Sequence, residues 1–124
     1  MKIFIAIKYD KQSLLLVSDI KRILVELDHI PYCFAQDEGF IADEKEMMQR
    51  AFKKINESDL ILVEATQSSF GVGIESGYAF ANNKKIIIIA NESEKVSNTL
   101  KGVSNSYITY KDFNDLSEKL KEVL

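Results

Sequence analysis

The 124 residues, 46% hydrophobic and 28% charged, suffice for one domain with its own core, read here as residues 1–124. One proline and five glycines exclude a collagenous or disordered chain, and a net charge of −3 offers no basic surplus for nucleic acid. The lone Cys33 excludes an intramolecular disulfide framework or a cysteine-based zinc site and fits a reducing cytosol.

Residues 3–7 form a continuous apolar, β-branched run, the pattern of a strand buried on both faces. Nothing there matches a signal segment, and no apolar run approaches the ~20 residues of a membrane helix. The chain is therefore expected to be soluble and cytoplasmic, without nucleic-acid or membrane partners. Residues 12–28 read as a helix, with Leu16, Ile20, Ile23, Leu24 and Leu27 on one face. Pro31 introduces a second strand over residues 32–35, followed by a loop over 36–39. Asp43 and Glu46 form a capping box ahead of a helix whose stripe is Met47, Met48, Ala51, Phe52 and Ile55. Residues 60–63 are a third buried strand. A polar loop over 66–73 leads to a helix over 75–82, stopped by Asn82 and Asn83. Residues 85–90 are a fourth strand, residues 91–102 a polar stretch with room for a helical turn, and residues 106–110 a fifth strand. Asp112 caps a last helix with Phe113, Leu116, Leu120 and Val123 on one face.

Alternation of this kind predicts a doubly wound α/β fold, flavodoxin- or Rossmann-like. Its five-stranded parallel sheet takes the order 2-1-3-4-5, with helices on both faces. Ligands in such folds bind beyond the carboxyl ends of the strands. Of the rim loops, the one after strand 3 is chemically unusual. Thr66, Gln67, Ser68 and Ser69 precede Gly71 and Gly73, and a helix start follows. Glycines admit a ligand close to the backbone, hydroxyls donate, and a helix N-terminus presents free N–H groups. The set suits a phosphate, yet it is neither GxGxxG nor a Walker loop. Glu75, read in the first turn of that helix, is either a dipole-stabilising carboxylate or a nucleophile aimed over the rim.

The run from Glu64 to Ala79, with Thr66, Gln67, Ser69, Gly71, Gly73 and Glu75 at this spacing, resembles the signature of the 2′-deoxynucleoside 5′-phosphate N-hydrolases. These belong to the nucleoside 2-deoxyribosyltransferase-like superfamily. The likeness extends from Asp59 to Gly102. It implies that Glu75 attacks C1′ of a nucleotide and that Ser69 binds the 5′-phosphate. It also implies that Gly71 and Gly73 open the site to the sugar phosphate. Ser97 falls on a second phosphate-contacting serine, which such proteins supply from the partner subunit of a homodimer. No metal or cofactor is implied, and no histidine, cysteine and carboxylate cluster has ligand spacing.

The sequence also departs from that pattern. Ala51 stands where the family carries an aspartate, and Phe4 where a tyrosine is usual. Ile7, Lys8, Tyr9, Asp10 and Lys11 replace a glycine-bearing loop after strand 1. Glycosidic cleavage normally uses two carboxyl groups. Glu75 supplies one; Asp10, Asp37, Glu38 and Glu64 are the candidates for the other. Tyr9 is the alternative hydroxyl on the substrate, and Ser68 adds a further donor. Three readings follow: hydrolysis of (deoxy)nucleoside 5′-monophosphates, base exchange by a deoxyribosyltransferase, and nucleotide binding without catalysis. His29 is read as a cation at a helix end, Cys33 as a small buried hydrophobe, and Met47 and Met48 as core filler. Tyr78 shares the helix face of Glu75, and Lys8 on the rim is placed to meet a phosphate.

Overall fold

A computed structural model describes residues 1–124. The elements are β1 (Lys2–Ala6), α1 (Lys11–Glu26), β2 (Ile30–Tyr32), α2 (Phe34–Asp37), α3 (Glu44–Glu57) and β3 (Leu60–Glu64). They continue as α4 (Phe70–Ala81), β4 (Lys85–Asn91), α5 (Asn98–Lys101), β5 (Ser106–Tyr110) and α6 (Phe113–Val123). The sheet runs β2-β1-β3-β4-β5, and every pair is parallel. This is the expected doubly wound order.

Each inner strand is apolar on both faces because each face is covered. Ile3, Ile5, Leu60, Leu62, Ile87 and Ile89 pack on one side with Val17, Ile20 and Leu24 of α1 and Leu116 and Leu120 of α6. Phe4, Ala6, Ile61, Val63, Ile86 and Ile88 pack on the other with Ala51 and Ile55 of α3 and Val72 and Ala79 of α4. The period-2 alternation of a strand splits these residues between two cores. No helix is long and apolar enough to cross a membrane.

Three local expectations fail. The second strand begins at Ile30, before Pro31, and Phe34 and Ala35 start a helical turn instead. β2 is an edge strand paired only with β1, which is where a proline lacking its N–H is tolerated. The capping box is half formed: Asp43 accepts from Glu46 N at 2.9 Å, but the Glu46 carboxylate turns to Arg50 at 2.6 Å. His29 lies beyond the end of α1, and burial with the nearby N-terminal ammonium pushes its pKa below the ordinary value, so the cation reading fails.

Candidate active site

The helix after β3 starts earlier than its glycines predict. Glycine disfavours a helix interior by about 1 kcal/mol relative to alanine, which places the boundary after Gly73 on propensity alone. Ser69 overrides this: its Oγ accepts from Val72 N at 3.2 Å and caps α4, whose first residue is Phe70. Ser76 Oγ donates to Val72 O at 2.7 Å, and Val72, Ser76 and Ala79 are buried. Glu75 is therefore in the second turn rather than the first. Dipole stabilisation fades beyond the first turn, so that role does not explain a carboxylate here.

Successive helix residues turn by about 100°, so α4 has distinct flanks. Gly71 and Glu75, four apart, line one cleft; Gly73 and Gly77, also four apart, line another. Ser69 and Lys8 line both clefts. The cleft of Glu75 has a volume of about 510 Å³ and the other about 650 Å³, each of ligand size.

The Glu75 cleft lies between the β1–α1 loop, α2, α3 and α4. Tyr9, Ser69 and Gly71 join Glu75 there. Phe34, Phe40, Met47, Met48 and Ala51 form much of its wall. Met47 and Met48, read as core filler, line this cleft; Met47 also packs against the core, as expected, and Met48 does not. Burial among these groups pushes the Glu75 pKa up to about 8, with no partner to oppose it. The second cleft brings together Thr66, Gln67, Ser68, Gly73 and Ser97. Ser97 Oγ caps α5, accepting from Leu100 N at 3.4 Å. Within one chain, then, Ser97 and Glu75 face different clefts.

Other expected residues are held elsewhere. Phe4 is wholly buried in the core and packs near Tyr32, with ring centroids 5.9 Å apart. Tyr78 stacks on Phe52 at 4.1 Å and its hydroxyl accepts from Asn56 at 2.6 Å, so it fastens α4 to α3. Cys33 is buried, as expected, and burial raises its thiol pKa.

No candidate second carboxyl lines the Glu75 cleft. Asp10 caps α1, accepting from Ser13 N at 2.7 Å, and that bond lowers its pKa. Asp37 accepts from Lys21 Nζ at 2.7 Å and from Cys33 N at 2.9 Å. Glu38 accepts from the Tyr32 hydroxyl at 2.9 Å. Glu64, 1% exposed, accepts from Thr66 N at 2.6 Å and from the Tyr110 hydroxyl at 2.5 Å. Thr66 Oγ1 in turn accepts from Asn91 N at 3.0 Å. Glu64 is thus the bolt that fixes the rim loop to β4 and β5.

Gly71 yields a sharp expectation. A Cβ there meets nothing within 4 Å in the free protein, and the backbone is not left-handed. Gly71→Ala should raise thermal stability by up to about 1 kcal/mol through helix propensity. Its methyl enters the cleft on the flank of Glu75. Misplacing a bound substrate by about 1 Å lowers kcat/KM by about 10²-fold, which steady-state kinetics beside a melting curve would read.

No family model matches the chain. A protein of Trichoplax adhaerens named as a 2′-deoxynucleoside 5′-phosphate N-hydrolase is 32% identical over 81 residues, 64% of this chain. The match spans about half of that relative, 55% of its length. Among solved structures, the CMP N-glycosidase BcmB of Clostridium botulinum is 27% identical over the whole of both chains, with a TM-score of 0.77. A 2-deoxyribosyltransferase of Bacillus psychrosaccharolyticus shares the fold, with a TM-score of 0.78 at 16% identity over 94% of this chain and 90% of that one. Sheet order, rim loop and relatives make this chain similar to members of the nucleoside 2-deoxyribosyltransferase-like superfamily. Within it, the sequence match is to a protein named for nucleoside 5′-phosphate N-hydrolysis.

Proposed function

We propose that this protein hydrolyses the N-glycosidic bond of nucleoside 5′-monophosphates, giving free base and (deoxy)ribose 5-phosphate. The observation that carries this reading is Glu75, an unpartnered carboxyl in a ligand-sized apolar cleft, on the same helix flank as Gly71 and next to the Ser69 cap. The Trichoplax and Clostridium proteins supply the reaction class by their names. The phosphate lies at the seam of the two clefts, against Lys8, Ser69 and the N–H groups of the first turn of α4, which have no intrahelical acceptors. Gly71 leaves room for the sugar. The Glu75 carboxylate attacks C1′ and the base departs; water then hydrolyses the glycosyl ester with net retention.

Base release from each ribo- and deoxynucleoside 5′-monophosphate, with Glu75→Ala alongside, tests the proposal. Release that vanishes in the variant supports it; no release from any nucleotide overturns it. A second free base in the same assay separates hydrolysis from base exchange, because only exchange yields a new nucleotide.

The working unit in this reading is a homodimer formed through the outer flank of α4. Phe70 is 93% exposed, Ile74 51% and Phe80 58%, with Gly73 and Gly77 between them opening onto free space. An apolar stripe with small residues lets a second helix approach closely. The same flank borders the cleft of Ser97, so a partner seated there meets that serine. Sedimentation should show a dimer, and Ile74→Glu should give a folded monomer with reduced activity.

A further inference from the structure

The wall of the Glu75 cleft constrains the leaving base. Phe34, Phe40, Met47, Met48 and Ala51 line it, and Glu75 is its only carboxyl. The other titratable groups facing it are Lys8 and Tyr9 from the β1–α1 loop and Cys33 beneath. Lys8 stands 3.8 Å from Asp10 and borders the phosphate seam. Burial keeps the Cys33 thiol from ionising.

A base leaving a sugar takes the bonding electron pair with it. A neutral base then needs a proton, and a positioned acid contributes about 10²–10⁴-fold. Glu75 does not attack C1′ as a carboxylate and deliver a proton in the same step. Apart from Lys8, Tyr9 and Ser69, the lining carries no strong side-chain donor to stabilise a base that departs as an anion.

Resting on the hydrolase reading above, we propose that the preferred substrates are 5′-nucleotides whose base already carries a positive charge, as in N-alkylated purines and pyridinium bases. The Glu75 oxygen bonds to C1′ with its own lone pair as the C1′–N bond breaks, and the electron pair of that broken bond stays on the ring nitrogen and neutralises the ring cation. The base leaves neutral with no acid. Water next bonds to C1′, the ester C–O bond breaks to restore the carboxylate, and the water proton passes to solvent. Charges of opposite sign cancel in the first step, so an apolar cleft that disfavours separated charge favours it. Phe34 and Phe40 offer aromatic faces to a cationic ring, and Met47 and Met48 polarizable sulfur. A bound cation also lowers the proton affinity of Glu75, which burial alone raises to about 8. Such a substrate therefore ionises its own nucleophile.

The test compares base release from 7-methyl-GMP, 7-methyl-dGMP and nicotinamide mononucleotide with release from GMP, dGMP and the other neutral monophosphates, spontaneous loss subtracted. The cationic member of a matched pair should show kcat/KM at least about 100-fold higher, the lower value of a missing acid. Calorimetry at pH 7 in buffers of different ionisation enthalpy should register proton release when a cationic nucleotide binds, and none with Glu75→Gln. A neutral nucleotide cleaved as fast as its methylated twin, or cationic binding without proton release, overturns the cationic-base proposal and leaves hydrolysis standing. Base release from none of them removes both readings.

Discussion

Glu75→Gln is expected to abolish base release, by about 10⁴-fold or more, while making the protein more heat-stable above pH 8. The amide keeps the shape of the side chain but has no oxygen able to form the glycosyl ester. The stability gain follows from the raised pKa. Unfolded, the group titrates near 4.5; folded, near 8. The folded state thus holds its proton more tightly, and the wild type loses stability as pH rises from 4.5 towards 8. Glutamine never ionises, so the variant matches the wild type near pH 4 and melts higher at pH 9. The same titration shapes catalysis. For a neutral substrate kcat/KM should fall about tenfold per pH unit below 8, because the free enzyme must ionise Glu75 before attack. A variant that loses activity and stability together, or a flat pH profile between 5 and 8, would remove Glu75 from the role of half-buried nucleophile.

Glu64→Ala should lower stability by about 3 kcal/mol or more and loosen the rim loop. It strips the acceptors from two donors, Thr66 N at 2.6 Å and the Tyr110 hydroxyl at 2.5 Å. The Tyr110 phenol is pushed above its ordinary range by burial and by Glu64, so it stays a donor and is orphaned throughout the working pH range. Glu64→Gln should cost much less, since its carbonyl still accepts from Thr66 N and the Tyr110 hydroxyl can turn to accept from the amide. Chemical denaturation of the two variants reads the difference. The loop effect appears separately: KM for a nucleotide should rise in Glu64→Ala and recover in Glu64→Gln. Equal losses in both would mean that Glu64 acts at the reacting atoms instead.

The three strands that read most clearly, β1, β3 and β4, are legible because inner parallel strands covered on both faces must be apolar nearly throughout, whereas β5 lies at an edge and buries only Ile108 and Tyr110. β2 is misread because an edge strand needs only one ladder, so Pro31 fits within it and the apolar signal is short. The start of α4 is misread for a different reason. Glycine signals a loop locally, whereas the Ser69 cap and the burial of Val72, Ser76 and Ala79 outweigh that preference. Tyr78 and Glu75 share a helix flank in sequence, yet Phe52 and Asn56 of α3 claim the tyrosine.

By itself the sequence determined the order of the strands and longer helices, the parallel sheet, and the rim loop that holds the candidate hydroxyls, glycines and Glu75. Those rest on apolar periodicity and on residue spacing within one segment, both local properties of the chain. The tertiary structure alone decided that α4 divides its glycines between two clefts and that Met47 and Met48 face one of them. It also decided that Asp10, Asp37, Glu38 and Glu64 are engaged away from that cleft and that Glu75 is the one carboxyl lining it. Burial sets the proton affinity of Glu75, and burial is made by α2, α3 and the β1–α1 loop, segments from 20 to 70 residues away in the chain that no local pattern brings together.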